Sequence, residues 1–355
     1  MARTNSSRVV AALAVAIALL AGSSASTRVR PGSDTLPSAL SDADFWSLTE
    51  RLSEEDGFFV SRSGSPDNLL SNENSISSVA AELRSRVRPG GVYLGVGPEQ
   101  NFTYIAAMRP RVAFITDIRR GNLDLHLMYK ALFGLSATRS DFVARLFSRQ
   151  PLAPSTPKTT AAQLMLAAGH APPMDEAGFR ANVAAINAYL MRTHGLPLGK
   201  GDLAGIEYVA RNFQRFGPDI NYTSSINGRS GAFGSYGLIQ SLTDASGVGR
   251  TYLASDETFA YVKDMQAKNL IVPVVGNFAG PKALRALGVY LKEHGAVVGA
   301  FYVSNVEMYL ERSGTWSTFC ANAASLPIDA GSVFIRPGRG SSWFGSMAME
   351  TSNCR

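Results

Sequence analysis

Apolar positions along the chain fall into two rhythms, and their order predicts the architecture. Continuous apolar runs read as buried strands: Val92 to Val96, "RVAFITD" ending at Asp117, "LIVPVVGNF", "GAVVGAFYVSN" and "SVFIRP", with "TYLAS" at 251–255 as one more. Between them, apolar residues recur at helical spacing. Ile76, Val79, Ala80 and Leu83 mark a helix stopped by Pro89-Gly90-Gly91, and Asn101 to Met108 suits a short helix stopped by Pro110. Further helices are expected over about 122–133, 256–268 and 280–293, and one after Ser41, with Asp44 three residues on, running to about Glu55. The stretch 137–217 reads as helical apart from the break "QPLAPSTPKTT", and 218–249, rich in Gly, Ser and Asn, as irregular with room for a hairpin.

Strands alternating with helices across short connections predict an α/β fold. The expected form is a doubly wound, mostly parallel Rossmann-like sheet with helices on both faces and a helical insertion. The termini refine this picture. Arg3 and Arg8 precede an apolar run from Val9 to Ala21, and "GSSAS" follows with Ser23 and Ala25 at the cleavage positions, which predicts a secretory signal peptide over 1–25. The run is shorter than a spanning helix needs. The expected localisation is export, periplasmic or extracellular, with no transmembrane span in the mature chain; an uncleaved anchor and a misplaced start are the alternatives. The organisation is then a linker at 26–40, an N-terminal helical extension at 41–90, and a Rossmann-like core at 91–136 and 250–336. A mainly helical insertion with a Gly/Ser-rich loop occupies 137–249, and a tail 337–355.

Composition narrows the function classes. Apolar residues are 45% and charged residues 17% of the 355, which suffices for a sizeable core. The formal charge of +6 is scattered, with no stripe of Lys and Arg interleaved with aromatics, so no nucleic-acid partner is expected. His126, His170, His194 and His294 show no ligand spacing, and two cysteines alone make no structural zinc site, so no metal is expected. In an oxidising compartment Cys320 and Cys354 can pair and fasten the tail; the alternative is a buried Cys320 and a free Cys354.

Candidate chemistry centres on "GGVYLGVGPEQNFTYI". Gly95 and Gly97 lie where a strand gives way to a helix, and glycine there admits unusual backbone angles and close approach of a ligand. Asp117 ends the next strand and is placed to accept hydrogen bonds from ribose hydroxyls. A tight turn with a solvated Asp is the bland alternative. The dinucleotide fingerprint wants a third glycine where Gln100 stands, and Glu99 would repel a pyrophosphate. No G-x-x-x-x-G-K-[ST] loop and no G-x-S-x-G elbow occurs. A ligand without phosphate and with positive charge is compatible.

On these residues the chain resembles the class I, Rossmann-like S-adenosylmethionine-dependent methyltransferases, over the strand-turn-helix of 92–108, the strand ending at Asp117 and the order of elements to about 336. The resemblance implies that Gly95, Gly97 and Glu99 lie at the cofactor's amino-acid end and that Asp117 grips the ribose. It implies that Asn277, after "LIVPVVG" and followed by Phe278, stands at an active-site position. Tyr93 replaces the family's usual acid two residues before the first glycine, Glu99 a common third glycine, and "GNFAG" lacks the Asn/Asp-Pro-Pro-aromatic signature.

Other polar sets border the expected crevice. "DNLLSNENS" offers Asn68, Asn72 and Glu73 for a substrate, as part of a lid, or else serves as helix capping. Ser304 and Asn305 follow a strand and either touch substrate or cap the next helix, and Glu307 is a candidate general base. Tyr222, Tyr236 and Tyr252 are candidates for an aromatic wall, with core or surface packing as the equal alternative. Asp124 and His126, two apart on a helix, share no face. S-adenosylmethionine is made and used inside cells, which conflicts with export. The leading expectation is therefore an exported methyltransferase-like fold with a crevice for a small nucleoside-like ligand; an active divergent methyltransferase is the alternative.

Overall fold

The first element already has its boundary written in side-chain chemistry. In the computed structural model, which describes residues 34–58, 67–227, 233–336 and 343–354, helix α1 (Asp42–Leu52) starts where Ser41 Oγ accepts the Asp44 backbone N–H at 3.1 Å. Helix α2 (Ile76–Arg86) buries Ile76, Val79, Ala80 and Leu83. Strand β1 (Val92–Gly95), α3 (Gln100–Met108), β2 (Val112–Asp117) and α4 (Arg120–Leu135) follow. The helical stretch comprises α5 (Arg139–Leu146), α6 (Ala161–His170), α7 (Glu176–Ala188), α8 (Lys200–Phe216), the short α9 (Tyr236–Ser241) and α10 (Asp256–Ala267). Alternation then resumes with β3 (Ile271–Val275), α11 (Ala283–Glu293), β4 (Val298–Tyr302), α12 (Val306–Arg312) and α13 (Trp316–Ala324). Strands β5 (Val333–Ile335) and β6 (Phe344–Ser346) and the short α14 (Met347–Glu350) complete the chain.

The six strands form one sheet in the order β3-β2-β1-β4-β5-β6. Strands β1 to β5 are parallel and β6 runs antiparallel to β5. Every residue of β1, β2 and β3 is buried, which is why these strands read as unbroken apolar runs rather than alternating ones. Pro273 is tolerated because β3 is an edge strand. That edge is closed by the end of α1: Val275 N–H donates to Ser53 Oγ at 3.0 Å and Glu54 N–H to the Val275 carbonyl at 2.7 Å.

Several expectations are corrected. "TYLAS" is not a strand. Thr251, Tyr252 and Leu253 are buried, but the Tyr252 N–H goes to Thr103 Oγ1 on α3 at 3.2 Å, so a side chain takes the place of a neighbouring strand. Among the described residues of 218–249 there is no hairpin, only two isolated bridges. Residues 34–40 are docked rather than a free linker: Leu36 is buried and Thr35 N–H donates to the His294 carbonyl at 3.0 Å. The tail contributes β6 to the sheet. The predicted signal peptide, residues 1–25, lies outside the described residues, and among the latter no helix is long and apolar enough to cross a membrane.

The helical stretch shares one apolar core with the sheet. Phe133 and Phe142, with ring centroids 4.6 Å apart, pack with Phe102, Tyr252 and Phe259. Arg139, fully buried, donates to Asp256 Oδ1 at 2.7 Å and to the carbonyls of Thr159, Leu253 and Thr156 at 2.8, 2.9 and 3.0 Å. Cys320 on α13 is disulfide-bonded to Cys354, with Cα atoms 5.1 Å apart. The bridge closes a loop of sequence separation 34, for which chain entropy predicts a contribution of about 3–4 kcal/mol. Cys354→Ser is expected to lower the melting temperature of the oxidised protein, and reductant to lower it equally; a melting temperature indifferent to both would show that the bridge does not stabilise the fold.

Candidate functional site

The strand order reverses at β1: the chain proceeds outward through β2 and β3, then returns to lay β4 on the other side of β1. Loops leaving β1 and β4 therefore diverge, and a crevice is expected at the carboxyl ends of these strands. A cavity of about 440 Å³ lies there, lined by residues at and after the carboxyl ends of β1, β2, β3 and β4, by α12, and by Phe58, Asn68, Ser71 and Asn72. That volume is within the range of small-ligand sites.

The loop after β1 is shaped from inside. A Cβ on Gly95 would overlap Asn101 Oδ1, so glycine is required for Asn101 to pack beneath the strand end. Tyr93 donates to Asn101 Oδ1 at 2.8 Å, and Asn101 Nδ2 donates to the Val96, Gly97 and Pro98 carbonyls at 3.0, 3.2 and 2.7 Å. Gly97 has φ of 75°, a left-handed conformation that a side chain would strain. His126 Nε2 lies 2.9 Å from the Gly97 carbonyl and so carries the proton, while Nδ1 finds no partner; burial pushes this imidazole down to about 4. Gly97 lines the cavity and Gly95 does not.

Glu99 turns inward instead of facing the cavity. Neither carboxyl oxygen completes a hydrogen bond of ordinary geometry, although backbone N–H groups of Ser71 and Glu99 itself lie near enough to favour its charge. Burial prevails and pushes the carboxyl up to about 8. A ligand amine or sulfonium in the cavity would not meet this side chain.

Asp117 lies on the cavity wall, already engaged. Its Oδ1 accepts the Arg119 backbone N–H and Nε, each at 3.0 Å, and Oδ2 accepts Nη2 at 3.0 Å. Arg119 Nη1 also donates to the Asp67 carbonyl, and Tyr208 donates to Asp67 Oδ2 at 2.7 Å. These bonds, with the burial of Leu69 and Leu70, make residues 67–73 a fixed wall rather than a lid. The capping alternative does not hold either, since Ser75 at the start of α2 makes no side-chain cap. Asn68 and Asn72 line the cavity; Asn68 adopts φ of 44°.

Glu73 stands one bond behind the wall. Tyr302 donates to Oε1 at 2.5 Å, Ser304 Oγ to the same oxygen at 2.9 Å and Tyr104 to Oε2 at 3.3 Å. Burial pushes its carboxyl up to about 7 against these three hydroxyls. Ser304 makes this bond with φ of 50°, in the left-handed region that costs a non-glycine residue. Asn305 precedes α12 without capping it through its side chain. Ser304 and Asn305 both line the cavity.

Asn277 also lines the cavity, but it follows the outer strand β3 and not the strand beside β1. Asn277 Oδ1 accepts the Ala279 N–H at 2.9 Å, and Phe278 packs 5.0 Å from Phe301. Glu54, which has no local signal in the sequence, accepts from the N–H groups of Asn277, Lys282 and Ala283 at 3.1, 2.9 and 2.8 Å. Glu307 is not a general base at this site. It is buried and binds Arg336 through both oxygens at 2.5 and 2.7 Å, away from the cavity. Tyr222 lines the cavity, whereas Tyr236 and Tyr252 are buried together, hydroxyls 2.5 Å apart. Asp124 and His126 diverge, as their spacing predicts: Asp124 packs against Gly205 and is pushed up to about 8 by burial and then by Asp202.

Glu73, Glu99 and Asp124 each hold a proton in the folded chain at pH values where the unfolded chain has released it. Their stabilisation is full below about pH 4 and is lost as pH rises through about 7 to 8, while His126 opposes them only below about 6.5. Stability is expected to fall from pH 5 to pH 8. In Glu99→Gln the slope between pH 6 and 8 should be shallower by about 1.4 kcal/mol per pH unit in denaturant titrations; an unchanged slope would show that Glu99 is ionised in the fold.

A family model described as a domain of unknown function (DUF7790) matches residues 69–155 and 239–352, more than half of the chain. The matched segments carry the whole sheet and most of the cavity wall; the unmatched 156–238 carries α6, α7 and α8. No curated protein matches the chain.

Proposed function

The chain belongs to the DUF7790 family, and we propose that its cavity binds a small nucleoside-type ligand free of phosphate, on a doubly wound, methyltransferase-like sheet. The observation that carries this reading is the make-up of the wall: no Lys or Arg lines the cavity among the described residues, and Arg119, behind Asp117, is already paired. A phosphate would lose its hydration without gaining a cation. Hydroxyl and amide groups of Asn68, Asn72, Gln100 and Ser304 instead offer hydrogen bonds to a ribose or a base, and Phe278 and Tyr309 offer apolar faces. The resemblance to S-adenosylmethionine-dependent enzymes makes that cofactor and S-adenosylhomocysteine the first ligands to try.

The predicted leader argues for export, and an exported domain would lack the methyl donor. We therefore put ligand binding first and methyl transfer second, with Asn277, Ser304 and Asn305 the side chains placed to orient an acceptor.

Calorimetric titration of the chain with both ligands tests the reading. Micromolar binding, about −8 kcal/mol, is expected, weakened about tenfold in Asn72→Ala by loss of a hydrogen bond to the ligand, with melting temperature unchanged. Asp117→Ala serves less well, because it strips the buried Arg119 of its partner and should cost about 3–5 kcal/mol of stability. A folded protein that binds neither ligand would overturn this reading.

A further inference from the structure

We infer that Glu73 supplies the counter-charge by which the cavity prefers a cationic ligand to a neutral ligand of the same shape, an inference that rests on the nucleoside reading. The carboxyl is held by Tyr302, Ser304 and Tyr104, all uncharged donors, and no basic side chain pairs with it among the described residues. Two other buried carboxylates have a cationic partner, Asp117 in Arg119 and Glu307 in Arg336, whereas Glu99, which does not border the cavity, has none. Glu73 stands apart from them, directly behind two residues of the cavity wall.

The hydrogen-bond directions fix its role. Gln100 Nε2 donates to the Tyr302 hydroxyl at 3.0 Å, so that hydroxyl directs its own proton to Glu73. Tyr302, Ser304 and Gln100 all line the cavity, and Ser304 holds its strained backbone while its hydroxyl faces the carboxyl. The titratable groups facing Glu73 from the surrounding elements are Tyr104 on α3, Tyr93 on β1, Tyr302 on β4 and Glu99 before α3. None brings positive charge. Since Arg119 already neutralises Asp117, the net charge beside the cavity follows the ionisation of Glu73, and in so shielded a place a charge acts over several ångströms.

Burial puts that ionisation near pH 7. A cation in the cavity favours the carboxylate and expels its proton; a neutral ligand does neither. S-adenosylmethionine and S-adenosylhomocysteine differ at sulfur by a methyl group and one positive charge, and so form the probe pair. In the wild-type protein their affinity ratio, sulfonium over thioether, is expected to rise about fivefold or more from pH 6 to pH 7.5. Binding of the sulfonium ligand should release protons, read from the buffer dependence of the heat. Glu73→Gln should abolish the rise, whatever its effect on the affinity for the thioether itself. Tyr302→Phe, which removes a donor to the carboxylate, should move the rise to higher pH. If both ligands bind and the wild-type ratio is flat with pH, or if Glu73→Gln keeps the rise, Glu73 is not the counter-charge although the nucleoside reading stands. If neither binds, that reading falls and this inference with it.

Discussion

Because β1 has β2 on one side and β4 on the other, the chain leaving β1 and the chain leaving β4 are carried apart, and no main chain fills the space between them. Every feature of the candidate site follows from that reversal. The glycine loop after β1, the Asp117–Arg119 pair after β2, the Asn277 turn after β3 and the strained Ser304 after β4 are brought to one place only because parallel strands end on the same side of the sheet.

What surrounds this space is more tightly built than its polar composition suggests. Asn101 satisfies three loop carbonyls from below, Glu54 three N–H groups at the end of β3, and Arg119 ties β2 to the segment that closes the site from the N-terminal side. Asn101 and Arg119 are buried polar groups that would be costly if unpaired. The loops are therefore set before any ligand arrives, which is the condition for a small ligand to bind without a large ordering cost.

Against that background of satisfied groups, the exceptions carry chemical weight. Glu73 and Glu99 are buried acids without cationic partners, and both are raised by burial. They differ in access. Glu99 lies behind the β1–α3 turn, where its proton costs stability at high pH and reaches no solvent. Glu73 communicates with the cavity through two hydroxyls. The same desolvation has a structural consequence in one and an electrostatic one in the other.

Much of this was legible in the sequence. The Ser41 cap, the apolar runs of β1, β2 and β3 and the helical periodicity of α2, α4 and α8 are local patterns, written within a few residues of one another, and so are the φ > 0 position at Gly97 and the strand end at Asp117. "TYLAS" misled because burial against helices and burial within a sheet leave the same apolar run; only the Thr103 hydroxyl that takes the Tyr252 N–H distinguishes them. Side-chain direction was not legible. Glu99 beside the glycine loop and Glu307 beside the β4 loop carry the right chemistry at the right sequence distance, yet one points into the core and the other to Arg336. The sequence by itself determined the periodic elements and the short turns between them, because these depend on nearest neighbours along the chain. The tertiary structure alone decided which carboxylates meet arginine and which do not, because those partners are brought together only by the order of strands in the sheet.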